Sequence, residues 1–152
     1  MMQMDQEELK SLIRNIILEQ LKSLDITDKN KTQDGLITVD IPSWNVSEED
    51  RMDTGNPNDE VYTKDFFSLD ESKRLGAGLM VMKKSTFDWT LNYDEIDYVI
   101  DGYLEVVGKN GTAKADKGQI ILIPKESQIK FSAPDYARFM YVTYPADWES
   151  QK

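Results

Sequence analysis

The feature that most constrains the fold is a series of short runs rich in β-branched and aromatic residues, spaced evenly from residue 36 to residue 144. Turn-forming residues separate these runs, and no helical periodicity lies between them. We predict strands at residues 36–41, 61–67, 78–82, 96–100, 103–107, 120–123, 128–132 and 138–144. Many short strands at such spacing indicate an all-β sandwich or barrel.

The length of 152 residues allows one domain with a core and a modest extension. We predict an N-terminal amphipathic helix within residues 1–24, a flexible linker at 25–35 and an all-β domain over 36–152. The segment 25–35 is polar and turn-rich, which is typical of a linker.

The helix is predicted over residues 5–24, because Asp5 and Glu8 have the spacing of a capping box. An apolar stripe follows at three- and four-residue steps. Its members are Leu9, Leu12, Ile13, Ile16, Ile17, Leu21 and Leu24. A helix of about twenty residues is marginal alone in water. We therefore expect the stripe to pack on the domain, across a dimer, or in a groove of another protein.

Composition excludes several classes of function. The chain has neither Cys nor His, so disulfides, thiolate metal sites and Ser-His-Asp triads are excluded. A net charge of −10 predicts no binding to nucleic acid. No run approaches the roughly 20 apolar residues of a membrane span, and no secretory signal is visible. We therefore expect a cytoplasmic protein without membrane contact.

Two segments, at residues 89–102 and 118–129, are spaced like the two motifs of a cupin barrel. In that barrel His-x-His, a Glu and a later His hold a transition metal. The three histidine positions are occupied here by Trp89, Leu91 and Ile129. Only Glu95 remains of the four ligands. The spacing predicts a single cupin barrel (a double-stranded β-helix, or jelly roll) that holds no transition metal.

Strand periodicity predicts which side chains enter the barrel. Side chains two residues apart share a face, so an inward Glu95 brings Asp97 with it, while Ile96 and Tyr98 point outward. The predicted cavity lining is Trp89, Leu91, Tyr93, Glu95, Asp97, Ile129 and Phe131. A mostly apolar and aromatic pocket with two convergent carboxylates is typical of a small-molecule site. We take Glu95, Asp97 and Tyr93 as candidate catalytic residues and the others as substrate-binding.

The pair Glu95 and Asp97 leaves three alternatives open. The two carboxylates could coordinate a Mg²⁺ that keeps several waters and binds substrate phosphates. Their mutual repulsion and the apolar walls could instead raise one pKa, giving a general acid beside a general base. In the third alternative they only form hydrogen bonds with tyrosines and backbone inside the barrel.

The stretch 87–102, which contains Tyr-Asp-Glu-Ile-Asp-Tyr-Val-Ile, resembles the EutQ family of ethanolamine utilisation proteins. The resemblance continues in Ile-Pro-Lys at 123–125, Ile-Lys-Phe-Ser at 129–132, and Arg-Phe-Met-Tyr-Val-Thr-Tyr-Pro-Ala at 138–146. It covers roughly residues 78–148 and is weaker from residue 36 onward.

The resemblance implies a homodimeric cupin of a bacterial microcompartment in the cytoplasm. It also implies an acetate kinase, which interconverts acetate plus MgATP with acetyl phosphate plus ADP. Residues 4–21 resemble the encapsulation peptides of microcompartment enzymes, which implies shell or enzyme partners for Leu9, Leu12, Ile13, Ile16, Ile17 and Leu21. Two alternatives remain: a non-enzymatic assembly adaptor that binds shell protein through the helix, and a metal-independent isomerase or lyase acting on a small polar metabolite.

Overall fold

The computed structural model describes residues 4–23 and 29–151, with the side chains of 21–23 excepted. Its regular elements are α1 (Gln6–Ser23), β1 (Lys29–Lys31), β2 (Ile37–Val39), β3 (Glu60–Asp65), β4 (Gly76–Leu91), β5 (Asp94–Val107), β6 (Thr112–Asp116), β7 (Ile120–Ile123) and β8 (Ser127–Tyr144). The chain divides into two compact units between residues 44 and 45. The described part of the chain has no helix with the length and apolarity needed to cross a membrane.

Helix α1 begins with the capping box that the sequence predicts. The backbone N–H of Glu8 donates to Asp5 Oδ1 at 2.8 Å, and the backbone N–H of Asp5 donates to Glu8 Oε2 at 3.1 Å. The described stripe residues, Leu9, Leu12, Ile13, Ile16 and Ile17, are 44–52% exposed. The Leu21 side chain and Leu24 lie outside the described residues. The helix therefore presents an apolar stripe to its surroundings.

The predicted linker is wrong over residues 29–35, because β1 pairs antiparallel with β2 in a small sheet of its own. Its turn contains Gly35 at φ +85°, and Thr32 Oγ1 accepts a hydrogen bond from the Leu36 N–H at 3.1 Å. Polar turn residues belong to tight hairpins as well as to linkers, so composition alone did not separate the two. Residues 25–28 lie outside the described part. The second compact unit begins at residue 45, rather than at the predicted residue 36.

The second unit is one six-stranded antiparallel sheet in the order β3-β4-β8-β5-β6, with β7 also paired to β5. Several predicted strands are parts of longer ones: 96–100 and 103–107 merge into β5, and 128–132 and 138–144 merge into β8. The pairing shifts register near Lys84 in β4 and near Ile100 in β5. Such bulges bend a strand without ending it. The alternating sequence pattern is therefore interrupted at these bulges, although the strands continue through them.

The alternation predicted for β5 is confirmed. Glu95, Asp97 and Val99 are buried, whereas Ile96 and Tyr98 are exposed. The largest fully buried side chains are Phe131, Phe139, Leu79, Met82, Leu91, Leu104, Val61, Val99 and Asp97. Asp97 is the one ionisable group among these described residues. The sheet thus encloses an apolar core that contains the carboxyl group of Asp97.

Candidate functional site

A small cavity opens inside the barrel, with a volume of about 30 Å³. This volume has room for about two water molecules. The lining residues come from β3, β4, β5, β8 and three segments outside these strands: Met52, Thr63, Met80, Phe87, Trp89, Tyr93, Glu95, Phe131, Tyr141, Thr143 and Trp148. Six of these side chains are aromatic, and Glu95 is the one carboxylate among the described lining residues. The cavity is therefore an aromatic box with an acid in its wall.

Strand register brings the polar lining together. Glu95 on β5 lies directly opposite Thr143 on β8, and Asp97 lies opposite Tyr141. Side chains of directly opposite residues on one face are neighbours, with Cβ atoms roughly 4.5–5.5 Å apart. The inward face that the sequence predicts for β5 is thus matched by an inward face of β8. Two acidic residues of β5 therefore lie opposite two hydroxyl-bearing residues of β8.

The aromatic residues at the cavity entrance form a contact network. Trp89 Nε1 donates a hydrogen bond to Tyr93 Oη at 2.7 Å. The Trp148 ring lies 5.5 Å from the Tyr93 ring and 5.9 Å from the Trp89 ring, measured between centroids. All three side chains line both the cavity and a larger cleft outside it. They form the boundary between the two spaces.

The outer cleft has a volume of about 420 Å³. Besides the boundary aromatics, it is lined by Asp53, Asp65 and Glu149. No Lys or Arg is found among the described residues that line the cleft or the cavity. Asp65 accepts a hydrogen bond from Tyr141 Oη at 2.6 Å, which links the cleft to the cavity wall. The electrostatic character of the whole region is acidic.

The two buried acids are held towards their neutral forms. Burial raises the pKa of Glu95 above its usual range, and burial together with the Glu95 charge raises the pKa of Asp97 well above its own. The described residues supply no N–H or O–H donor to either Asp97 oxygen. Protonated Asp97 can donate a hydrogen bond to Glu95, and this bond raises the pKa of Asp97 while it lowers the pKa of Glu95. We therefore assign at least one proton to this pair at neutral pH.

The pair does not fit a Mg²⁺ ion. Asp97 is fully buried and lies outside the cavity lining, so only Glu95 reaches the open space. Mg²⁺ keeps several of its waters, and a cavity of about 30 Å³ cannot hold them. Within the described ranges, no group of three metal-binding side chains is found. The geometry therefore argues against the metal-binding alternative for this pair.

The predicted site residues separate into two groups. Trp89, Tyr93, Glu95 and Phe131 line the cavity together, as the sequence predicts. Asp97, Leu91 and Ile129 do not line it. Leu91 and Asp97 are fully buried in the core, and Ile129 is half-buried beside a shallow surface depression. Strand alternation fixes the face on which a side chain lies but not its depth along the barrel, so these three residues were misplaced.

Sequence reasoning missed Tyr141, Thr143 and Trp148. The signal for the first two was present, because Phe139, Tyr141 and Thr143 alternate along β8 on the buried face. Burial raises the pKa of Tyr141, as do the neighbouring Asp65 and Glu95 charges. Trp148 follows the last strand in a short 3₁₀ helix, where strand periodicity gives no information.

Comparison with known proteins identifies relatives over nearly the whole chain. Residues 4–150 match the family model described as "Ethanolamine utilisation protein EutQ". Acetate kinase EutQ of Clostridioides difficile is 55% identical over 150 residues, which cover 97% of this chain and 96% of that protein. Acetate kinase EutQ of Salmonella typhimurium is 42% identical over 86 residues, covering 57% of this chain and 38% of that protein.

Solved structures show the same fold. The structure of the Clostridium difficile EutQ protein has a TM-score of 0.80 and 60% identity, covering 82% of this chain and 90% of that chain. The cupin domain of Schizosaccharomyces pombe Cnp3 has a TM-score of 0.55 at 14% identity, covering 75% of this chain and 73% of that chain. The prediction of a single cupin domain with an N-terminal helix is confirmed.

Proposed function

This chain belongs to the EutQ family of ethanolamine utilisation proteins, and on that premise we propose that it is an acetate kinase. It interconverts acetate plus MgATP with acetyl phosphate plus ADP. The observation that carries the proposal is the relative named Acetate kinase EutQ, at 55% identity over 97% of this chain. The cavity and cleft support it, because they offer a small apolar space beside a space large enough for phosphate groups.

Acetate would place its methyl end in the inner cavity, which has room for about two water molecules. Its methyl group would contact Met80 and Phe131, and one carboxylate oxygen would accept hydrogen bonds from the protonated Glu95 and from the Thr143 hydroxyl. Neutral donors are needed there because the described lining contains no Lys or Arg. The second acetate oxygen is then free to face the outer cleft.

The phosphates of MgATP would lie in the outer cleft. The Mg²⁺ that arrives with ATP would offset the repulsion from Asp53, Asp65 and Glu149, since this ion is usually held by one or two carboxylates together with substrate phosphates. The acetate oxygen attacks the γ-phosphorus, the bond from that phosphorus to the β–γ bridging oxygen breaks, and ADP leaves. No proton is transferred in this step, so catalysis depends on positioning of the substrates and on charge neutralisation.

The test compares acetyl phosphate formation by the wild type and three variants. Glu95→Leu removes a donor and should lower kcat/KM about 10- to 100-fold. Glu95→Gln keeps a neutral donor and should stay close to the wild type. Glu60→Gln, on the exposed start of β3, is the matched control. No acetyl phosphate from the wild type would refute the function. Full activity of Glu95→Leu would refute the site but leave the function standing.

A second candidate function is a microcompartment adaptor, which the exposed stripe of α1 favours. We propose that α1 binds a shell or enzyme partner of a bacterial microcompartment in the cytoplasm. Amphipathic helices bind in this way by placing their apolar face in a groove. Deletion of residues 1–24 should leave the acetate kinase activity unchanged and abolish co-sedimentation with the compartments. If compartments fail to assemble after this deletion, and the full-length protein has no acetate kinase activity, the adaptor is the function.

We also infer that the chain is a homodimer. The outward face of the sheet carries two cross-strand apolar pairs, Ile96 with Leu122 and Tyr98 with Ile120. Ile120 and Leu122 are 65% and 66% exposed. A contiguous exposed apolar patch on a folded domain marks an interaction surface. A second copy of the same face is its simplest partner, because a two-fold axis places the patch against itself.

A further inference from the structure

The inner cavity has the chemistry of a cation site. Aromatic rings have electron-rich faces that attract ammonium groups, and cages of such rings are used to bind them. Six aromatic side chains line this cavity, and Glu95 stands among them as an acid that is 5% exposed. Acetate and ATP are both anions, so neither of them uses the electron-rich ring faces or the negative charge of ionised Glu95 for binding.

The surroundings of the cavity add to its preference for positive charge. The outer cleft carries Asp53, Asp65 and Glu149, and the described lining of both spaces contains no Lys or Arg to balance them. The whole chain has a net charge of −10. A cation that passes through the cleft is therefore attracted on its way to the cavity.

One lining hydroxyl lacks a hydrogen-bond partner in the described part of the chain. Thr143 Oγ1 is buried, unpartnered and part of the cavity wall, opposite Glu95 on the neighbouring strand. Buried polar groups without partners are rare and indicate a water or ligand at that position. A ligand with several N–H donors would supply the missing partner of Thr143 and would also reach the carboxylate of Glu95 opposite it.

We propose that this cavity binds the ammonium group of a small primary amine, with Glu95 as its counter-ion and the aromatic rings as its walls. A primary ammonium supplies three donors, which a quaternary ammonium lacks. The volume of about 30 Å³ admits the head group only. The remainder of the ligand, one or two carbons with a polar end, extends past Trp148 into the outer cleft.

Binding an ammonium ion requires Glu95 in its ionised form. The groups that face Glu95 are Asp97 on the same strand, Tyr93 in the preceding turn, and Tyr141 and Thr143 on β8. None of them is positively charged, so the incoming cation itself stabilises the carboxylate. Ammonium binding should therefore release a proton and compete with acetate, which needs the neutral form of the same residue.

This inference does not depend on the acetate kinase proposal, because it follows from the cavity alone. The experiment is therefore a binding measurement without nucleotide. Ethanolamine hydrochloride is titrated into the full-length protein by isothermal calorimetry at pH 7.5. Ethylene glycol, its neutral analogue, and tetramethylammonium chloride are titrated in parallel. We expect ethanolamine to bind and both comparison compounds to bind at least 10-fold more weakly.

Variants identify the position of the ligand. Glu95→Gln should weaken ethanolamine binding at least 10-fold, whereas Glu60→Gln should bind as the wild type does. If Glu95→Gln fails to fold, Trp148→Leu provides the second test, because Trp148 is only half-buried and its loss should weaken binding several-fold. The proposal would be overturned by equal binding of ethylene glycol or by no detectable binding of ethanolamine. Unchanged ethanolamine binding by folded Glu95→Gln or by folded Trp148→Leu would also overturn it. Acetate kinase activity without ethanolamine binding would overturn this inference alone.

Discussion

Asp97 is a fully buried carboxyl group to which the described residues offer no N–H or O–H donor. Leaving such a group ionised in an apolar interior is costly, so the group instead takes up a proton. Burial and the neighbouring Glu95 raise its pKa well above the usual range. The folded state therefore binds more protons than the unfolded state above about pH 4.

This proton excess predicts that Asp97 lowers stability as the pH rises. An acid with a raised folded-state pKa contributes stability that is present below its unfolded pKa and lost above it. Asp97→Asn cannot lose a proton. Its free energy of unfolding should therefore exceed that of the wild type by an amount that grows with pH, by up to about 1.4 kcal/mol per pH unit. Urea unfolding at pH 5, 6, 7 and 8 measures this difference.

Asp116→Asn is the matched control, since Asp116 is an exposed acid on β6. Its difference from the wild type should stay constant over the same pH range. A difference between Asp97→Asn and the wild type that is equally constant would mean that Asp97 titrates normally and is not held neutral by the fold.

The candidate site shows how far sequence reasoning extends at the scale of single residues. Strand alternation placed Glu95 and Phe131 correctly, because each inward side chain follows from the direction of its neighbour two residues away. Leu91 and Ile129 share the inward face but lie outside the cavity lining. Depth along a barrel depends on register between strands, and a single sequence does not contain that information.

Strands β4 and β8 show the same limit at the scale of elements. Their residues pair from Gly76 with Thr143 to Leu91 with Ser127, through a bulge near Lys84, which has φ +45°. A residue with positive φ and a shift in register interrupt the period of two. The sequence pattern consequently predicted the two parts of β8 as separate strands and only residues 78–82 of β4, while the pairing between strands shows that each is continuous.

Gly78 on β4 gives a prediction for this strand pair. A Cβ atom at Gly78 would lie 2.1 Å from Tyr141 Oη, 2.3 Å from Tyr141 Cζ and 2.8 Å from the Lys64 carbonyl oxygen. Gly78→Ala would therefore displace the Tyr141 ring and break its hydrogen bond to Asp65. We expect the free energy of unfolding to fall by about 1–3 kcal/mol, the usual effect of overpacking, as measured by urea unfolding.

Gly111→Ala serves as the comparison for Gly78→Ala. Gly111 lies in the turn between β5 and β6, where an added Cβ would have no described atom within 4 Å and where φ is not positive. Its substitution should change the free energy of unfolding by no more than about 0.5 kcal/mol. Equal stability of the two variants would show that the tight approach of Gly78 and Tyr141 does not exist in solution.

At the scale of the whole molecule, two surfaces are apolar without serving the core of their own unit. One is the described stripe of α1 and the other is the outward sheet face of Ile96, Tyr98, Ile120 and Leu122. The sequence predicted the helix stripe and the outward direction of Ile96 and Tyr98, but it made no prediction for the face of Ile120 and Leu122. What occupies them was not readable, because periodicity gives the direction of a side chain and not its partner.

The sheet face predicts the oligomeric state. Leu122→Glu places a charge at the centre of the inferred dimer contact and should convert a dimer into a monomer, because burial of an unpaired charge is unfavourable. Sedimentation velocity measures the change. Leu75→Glu is the control, since Leu75 is 54% exposed outside this face and should leave the dimer intact. A monomeric wild type, or a dimeric Leu122→Glu, would contradict the assignment of this face.

The central claim is that burial raises the pKa of Glu95 in an aromatic cavity of a barrel without histidine. The most direct test is a ¹³C NMR titration of protein labelled at the glutamate carboxyl carbons, with the Glu95 resonance assigned from the Glu95→Gln variant. We predict that this one carbon titrates clearly above the ordinary midpoint of about 4.3, and that ethanolamine lowers its midpoint. A Glu95 resonance that titrates with the exposed glutamates would contradict the account.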